Sequence, residues 1–112
     1  MEFLMDTKQK NLFEARAKII KAVAHPTRLF IVDELSRAER CVNELTHMVG
    51  ADTSTVSKHL SILKNAGLVK DEKRGTQVFY YLKTPCILNF FGCVESVLKS
   101  TARDSLSLIE KG

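Results

Sequence analysis

The segment from Ala51 to Leu82 restricts the fold of this chain more than any other. Asp52 can cap a helix over residues 53–66, and Gly67 can end it. Val56, Leu60 and Leu63 fall on one side of that helix. Thr53, Ser57, Ser61 and Lys64 fall on another, joined by Ser54 and Lys58. Leu68-Val69 and Val78-Phe79-Tyr80-Tyr81-Leu82 then read as two strands around Asp71-Glu72-Lys73-Arg74-Gly75-Thr76-Gln77. Gly75 supplies the positive φ that a tight tip requires. A helix built only for packing seldom lines its outer face with hydroxyls. Small hydroxyls let a helix backbone approach a groove closely, and lysine reaches phosphate or a guanine edge. A polar helix followed by a basic ribbon is an arrangement suited to reading DNA.

The rest of the chain supplies partners for that segment. Leu12, Ala15, Ile19, Ile20 and Val23 predict a first helix over 8–23. Pro26 restarts the chain in a first helical turn, where its missing N–H costs nothing. Leu29, Phe30, Ile31, Val32 and Leu35 make this second helix apolar on nearly every side, as a central core helix is. Arg40-Cys41-Val42 is a short extended piece. Asn43 can cap a third helix through Val49, closed by Gly50. Pro85 ends the second strand and opens a last helix over 86–110. Its apolar stripe is Ile87, Phe90, Val94 and Val97, continuing through Thr101 toward Leu106 and Ile109. The expected fold is mainly α with a small β-hairpin, a winged helix-turn-helix. With no repeat and no linker, one domain spans 1–112.

The net charge of +4 is informative through its placement. Residues 53–83 hold six bases (Lys58, Lys64, Lys70, Lys73, Arg74, Lys83) and two acids (Asp71, Glu72). Residues 1–52 carry eight of each sign and residues 84–112 three of each, so the whole excess falls on the proposed reading segment. Phosphate attraction would use it there. A solvated basic face with no partner is the bland alternative.

Other classes find little support. No apolar run is long enough to span a bilayer, so no membrane partner is expected. The opening Met1-Glu2-Phe3-Leu4-Met5-Asp6 has no leader pattern, which makes the cytoplasm the simplest location. No nucleophile with a base, no phosphate-cradling glycine loop and no paired carboxylates at acid/base spacing occur. An enzyme is not expected.

Four passages resemble the ArsR/SmtB family of bacterial and archaeal transcriptional repressors. Ala24-His25-Pro26-Thr27-Arg28-Leu29 looks like the family's second-helix opening, and Cys41-Val42-Asn43-Glu44-Leu45 like its third-helix entry. Residues 55–69, from Thr55-Val56-Ser57-Lys58-His59-Leu60 to Gly67-Leu68-Val69, look like its recognition helix and exit. Arg74-Gly75-Thr76-Gln77-Val78-Phe79 looks like its wing. The resemblance covers about residues 20–83. It implies a homodimer on double-stranded operator DNA, released by an inducer, with the first and last helices forming the dimer interface. The alternative for those apolar faces is closure of the monomer's own core. The DNA-binding set is then Thr53, Ser54, Thr55, Ser57, Lys58 and His59 on the helix, with Lys73, Arg74 and Gln77 on the wing. His59 also lies beside Val56 and Leu63, so packing is a second reading for it.

The inducer is read from the thiols. Arsenite-responsive members carry Cys-x-Cys at the third-helix entry; here Cys41 matches the first position, but Asn43 stands in the second. Members sensing zinc-type ions use Asp and His on the last helix, and this one has Cys86, Asn89 and Cys93 but no histidine. Thiolates select soft ions, and trivalent arsenic takes three of them. Cys41, Cys86 and Cys93 match that count. Within one straight helix, Cys86 and Cys93 would stand roughly 10 Å apart and could not share an ion. Either Cys86 precedes the helix, or the site draws on Cys41 or a second subunit. No resident cofactor is expected; the expected inducer is trivalent arsenic or another soft metal(loid). Disulfide or persulfide formation is the alternative signal, and plain packing the alternative role. A winged-helix protein–protein module without DNA binding is the rival from another class.

Overall fold

The computed structural model describes residues 4–111, with side chains through Ile109. Residues 1–3, part of the opening read for a leader, and Gly112 lie outside the described residues. The elements follow in order as α1 (Thr7–Val23), α2 (Pro26–Leu35), β1 (Arg40–Cys41), α3 (Val42–Val49), α4 (Thr53–Asn65), β2 (Val69–Arg74), β3 (Gln77–Leu82) and α5 (Ile87–Lys111). The fold is mainly α with one small antiparallel sheet of order β1-β3-β2.

Local chemistry sets most boundaries. Asp6 and Gln9 close a reciprocal capping box, which starts α1 one residue before the expected position. His25 caps α2 through Nδ1, with Pro26 in the first turn. Gly50 ends α3 at φ 74°, in the left-handed region that glycine enters without strain.

Three expectations are corrected. Cys41, not Asn43, is the N-cap of α3, and Val42 is already helical. The reason is non-local: Arg40 and Cys41 pair with Tyr80 and Phe79 of β3, so the extended chain stops at Cys41. Glu44 then reaches back to the Cys41 N–H at 3.0 Å. The ribbon is also longer than expected. Continuous pairing from Val69↔Leu82 to Arg74↔Gln77 leaves only Gly75 and Thr76 at the tip. Asp71 through Arg74 therefore lie on a strand rather than in a loop. Finally, Pro85 and Cys86 form a turn before α5, wound by bonds from Ile87, Leu88 and Asn89 to the carbonyls of Thr84, Pro85 and Cys86.

The core gathers one side of each central element. Ile31, Val32 and Leu35 of α2 meet Leu45 of α3, Val56, Leu60 and Leu63 of α4, and Leu68 and Val69 at the sheet. Fully burying each such side chain contributes about 1.5–3 kcal/mol. Leu29 and Phe30 depart from the expectation for α2, being 41% and 39% exposed. α1 buries only Ala22 and Val23. Leu12, Phe13, Ile19 and Ile20 of α1, and Phe90, Val94, Val97 and Leu98 of α5, remain exposed. These faces do not close the protomer's own core.

Candidate nucleic-acid interface

α3 and α4 are joined by a short turn at Gly50-Ala51-Asp52. Asp52 fixes where α4 begins. Its Oδ1 accepts the Thr55 N–H at 2.7 Å and the Ser54 hydroxyl at 2.9 Å. These bonds, the Thr55 backbone one first, hold its carboxyl below the usual aspartate range. Because Val56, Leu60 and Leu63 are fully buried, helical periodicity turns the opposite face outward. Thr53, Ser54, Thr55 and Lys58 are exposed there, and Ser57 is half-buried. Lys58 makes no ion pair among the described residues.

The ribbon stands beside this helix and is braced to it. Lys83 N–H donates to the Leu68 carbonyl at 2.9 Å, and the Thr84 hydroxyl to the Gly67 carbonyl at 3.1 Å. Lys64 of α4 pairs with Asp71 of β2 at 3.0 Å. That bond and the adjacent carboxylate hold the Lys64 pKa above the usual lysine value. Lys73 and Gln77 are exposed, Gln77 directly across from Arg74.

Two of the expected contact residues are engaged inside the protein. Arg74 pairs with Glu39 at 2.8 Å and Glu72 at 2.9 Å, and its guanidinium lies 4.8 Å over the Phe79 ring. The two carboxylates, Glu72 first, raise its pKa further, so it stays charged at any working pH. A phosphate would have to compete with both carboxylates. His59 turns toward α2, where Arg28 Nη1 donates to its Nδ1 at 3.2 Å. For His59, packing is the role the structure displays. Sequence reasoning missed Glu39, Arg28 and the Lys64–Asp71 pair, because no local pattern marks contacts between distant elements.

This arrangement is a helix-turn-helix with a braced wing, and known proteins share it. A protein-family model described as "Bacterial regulatory protein, arsR family" matches residues 25–71. The transcriptional regulator Rv0081 of Mycobacterium tuberculosis, described as uncharacterized, is 30% identical over 88% of this chain and 88% of its own length. Its crystal structure superposes with a TM-score of 0.75, covering 85% of this chain and 96% of that one. The chain belongs to the ArsR family of bacterial regulatory proteins. The transcriptional repressor SmtB of M. tuberculosis is 38% identical over 65% of this chain, which spans 54% of the SmtB length. The solution structure of Mb0332 from Mycobacterium bovis is described as a homodimeric winged helix-turn-helix DNA-binding domain. It is 28% identical with a TM-score of 0.75, covering 89% of this chain and 93% of that one.

In this ArsR-family chain the thiols stand apart. Cys41 is buried at the α3 cap, whereas Cys86 and Cys93 are exposed. Among the described residues no group of three or more His, Cys, Asp or Glu is placed to hold a metal ion. A three-thiolate set is therefore not assembled within one chain. Cys86 precedes α5, which removes the constraint of a single straight helix from its distance to Cys93. No helix among the described residues is long and apolar enough to cross a membrane.

Proposed function

We propose that this chain is a homodimeric repressor that holds double-stranded operator DNA through α4 and the wing. The observation that carries the reading is the exposed first two turns of α4. Thr53, Ser54, Thr55 and Lys58 are presented outward there by a buried opposite face and a fixed cap. The charge excess of the chain lies within residues 53–83, the segment that carries this helix and the wing. The descriptions of SmtB as a repressor and Mb0332 as a DNA-binding homodimer support it. The exposed apolar faces of α1 and α5 supply the dimer surface. Between them and α2 runs an open groove of about 720 Å³, lined by Ile20, Val23, Leu29, Phe30, Phe90 and Leu98.

A mobility-shift series with duplexes selected from a random pool tests this. A shift specific to an inverted repeat is expected. Absence of any sequence preference at low salt would sink the reading in favour of a protein–protein module.

The inducer in this reading is thiophilic, trivalent arsenic or another soft metal(loid), since thiolates are the soft ligands this chain offers. Three ligands would require Cys41 to leave its buried position or a second copy to contribute thiols. The exposure of Cys86 and Cys93 favours a second reading, oxidation of these two thiols as the signal. Release of DNA by arsenicals but not by oxidants selects the first reading, and the reverse result selects the second.

A further inference from the structure

Three side chains tie the α1–α2 junction to α4. Arg28, in the first turn of α2, donates from Nε to the Ala22 carbonyl at 2.6 Å and from Nη2 to the Lys21 carbonyl at 3.4 Å. This clasps the end of α1. Its Nη1 donates to His59 Nδ1 at 3.2 Å. The His59 ring lies against His25, with centroids 4.5 Å apart and planes at 43°. His25 in turn accepts the Thr27 N–H through Nδ1 at 3.0 Å.

A guanidinium and a backbone N–H can only donate, so each Nδ1 accepts in these bonds. His59 bonded in this way is neutral, with its proton on Nε2. Protonating His59 at Nδ1 would remove the acceptor and place a second cation beside Arg28. Other charged groups do not compensate. Among the described residues, α1 offers Lys21, α2 offers Asp33 and Glu34, which pair with Arg37 and Arg40, α3 offers Glu44 and His47, β2 offers Lys70 and Asp71, and α4 itself offers Lys58 and Lys64. Asp71 is taken by Lys64, and Glu44 by Arg40 and the Cys41 N–H. No carboxylate pairs with His25, Arg28 or His59 among the described residues.

We infer that Arg28 and His25 are positioning residues that hold α4 in its DNA-reading pose only while His59 is neutral, so that acidification releases the pose and weakens DNA binding. This rests on the DNA-binding reading above. Burial first, then the neighbouring His25 and the Arg28 guanidinium, hold the His59 pKa below the ordinary histidine value of 6.5. The docked pose thus binds fewer protons than the released one. Its stability is complete above about pH 6.5 and is lost as pH falls through the lowered value of the docked ring. Each unit by which the two pKa values differ shifts the balance between docked and released poses about tenfold at acid pH, which is the most by which binding can weaken per unit. Simple electrostatics has the opposite sign, because added protons make the protein more cationic and tighten phosphate binding.

Two measurements on the full chain test the inference. Without DNA, imidazole and backbone amide NMR signals are followed from about pH 8 to about pH 5. The amide signals of residues 53–58 should move with the His59 titration; amides that ignore it overturn the inference. With a duplex selected by the wild-type chain, affinity should fall on acidification at fixed salt. Affinity that stays flat or rises overturns it. His59→Gln keeps an acceptor for Arg28 but cannot titrate, so its affinity should no longer fall on acidification. His25→Asn keeps the α2 cap and removes one ring, so the midpoint should move up in pH. Variants that keep the wild-type profile would also overturn it. If no duplex is selected at all, the DNA-binding reading fails, while the amide titration still decides the coupling.

Discussion

Arg74 on the wing is ion-paired across the surface to Glu39, in the connection after α2, at 2.8 Å. Together with Glu72 at 2.9 Å this neutralises the guanidinium that would otherwise be the wing's strongest phosphate ligand. Replacing Glu39 by Gln should therefore tighten DNA binding. It should also steepen the salt dependence by at most about one unit of slope, since Glu72 still holds the guanidinium. Arg74→Ala should weaken all sequences alike. Titration of affinity against salt checks both. A Glu39→Gln protein with unchanged affinity and slope would show that Arg74 never leaves its carboxylates.

Lys58 behaves differently because it is exposed and makes no ion pair among the described residues. Lys58→Ala should weaken operator binding and lower the salt slope by about one if it meets phosphate. If it meets a guanine edge, base preference at one position should relax, at a cost of about 1–3 kcal/mol. Binding measured on a set of single-base operator variants separates these outcomes. Unchanged affinity on every variant removes Lys58 from the interface.

The cap of α4 gives a third test. Asp52 holds the N–H of Thr55 and the hydroxyl of Ser54, and these bonds depress its pKa below the usual aspartate range. The folded state therefore binds fewer protons here than the unfolded one. The stabilisation is present above about pH 4 and is lost as pH falls through the lowered value. Asp52→Ala should lower Tm at neutral pH. Asp52→Asn should recover most of that loss, since asparagine is an equally good cap. It should also remove this acid-sensitive component. Thermal melts from neutral to acid pH check the pattern.

Legibility in the sequence followed the range of the interaction. Asp52, the Val56-Leu60-Leu63 stripe and Gly67 lie within one helix of each other, and they mark the start and face of α4 and its end to within one residue, Ala66 being the C-cap. The winged order followed from such local signals. The α3 cap is not legible locally: Asn43 is the better cap by chemistry, but β1 pairing with β3 decides where the extended chain stops. The full ribbon is not legible locally, because Asp71, Glu72, Lys73 and Arg74 look like a charged loop. Their partners Tyr80, Phe79, Val78 and Gln77 hold them in register. The contacts Arg74–Glu39 and Arg28–His59 had no sequence trace at all, since each joins elements that meet only after folding.

Assembly follows from the uncovered apolar faces. Phe90, Val94, Val97 and Leu98 are 40–65% exposed on α5, and Phe13 and Ile20 are half exposed on α1. Pairing two copies through these faces should set two recognition helices about one DNA turn apart, roughly 34 Å. Sedimentation should give a dimer at micromolar concentration. Phe90→Asp should give a folded monomer with much weaker operator binding, because each half-site would then bind alone. A dimeric Phe90→Asp protein would place the interface elsewhere.

The thiols give the last prediction. Cys86 stands at the entry to α5 and Cys93 within it, on the helix expected to set the spacing of the two reading heads. Cys41 caps α3, the first helix of the reading motif. A ligand or an oxidant acting on these sulfurs would pull on elements that the DNA pose depends on. A coupling of about 1–3 kcal/mol is enough to change operator affinity about 5- to 150-fold. Replacing each cysteine by serine, and measuring DNA release by trivalent arsenicals and by oxidants separately, distinguishes the cases. Dependence on all three supports a three-thiolate site that recruits the buried Cys41. Dependence on Cys86 and Cys93 alone, with oxidants, supports the redox signal. A triple Cys→Ser protein that still responds to the natural inducer would return all three to the role of packing and capping residues.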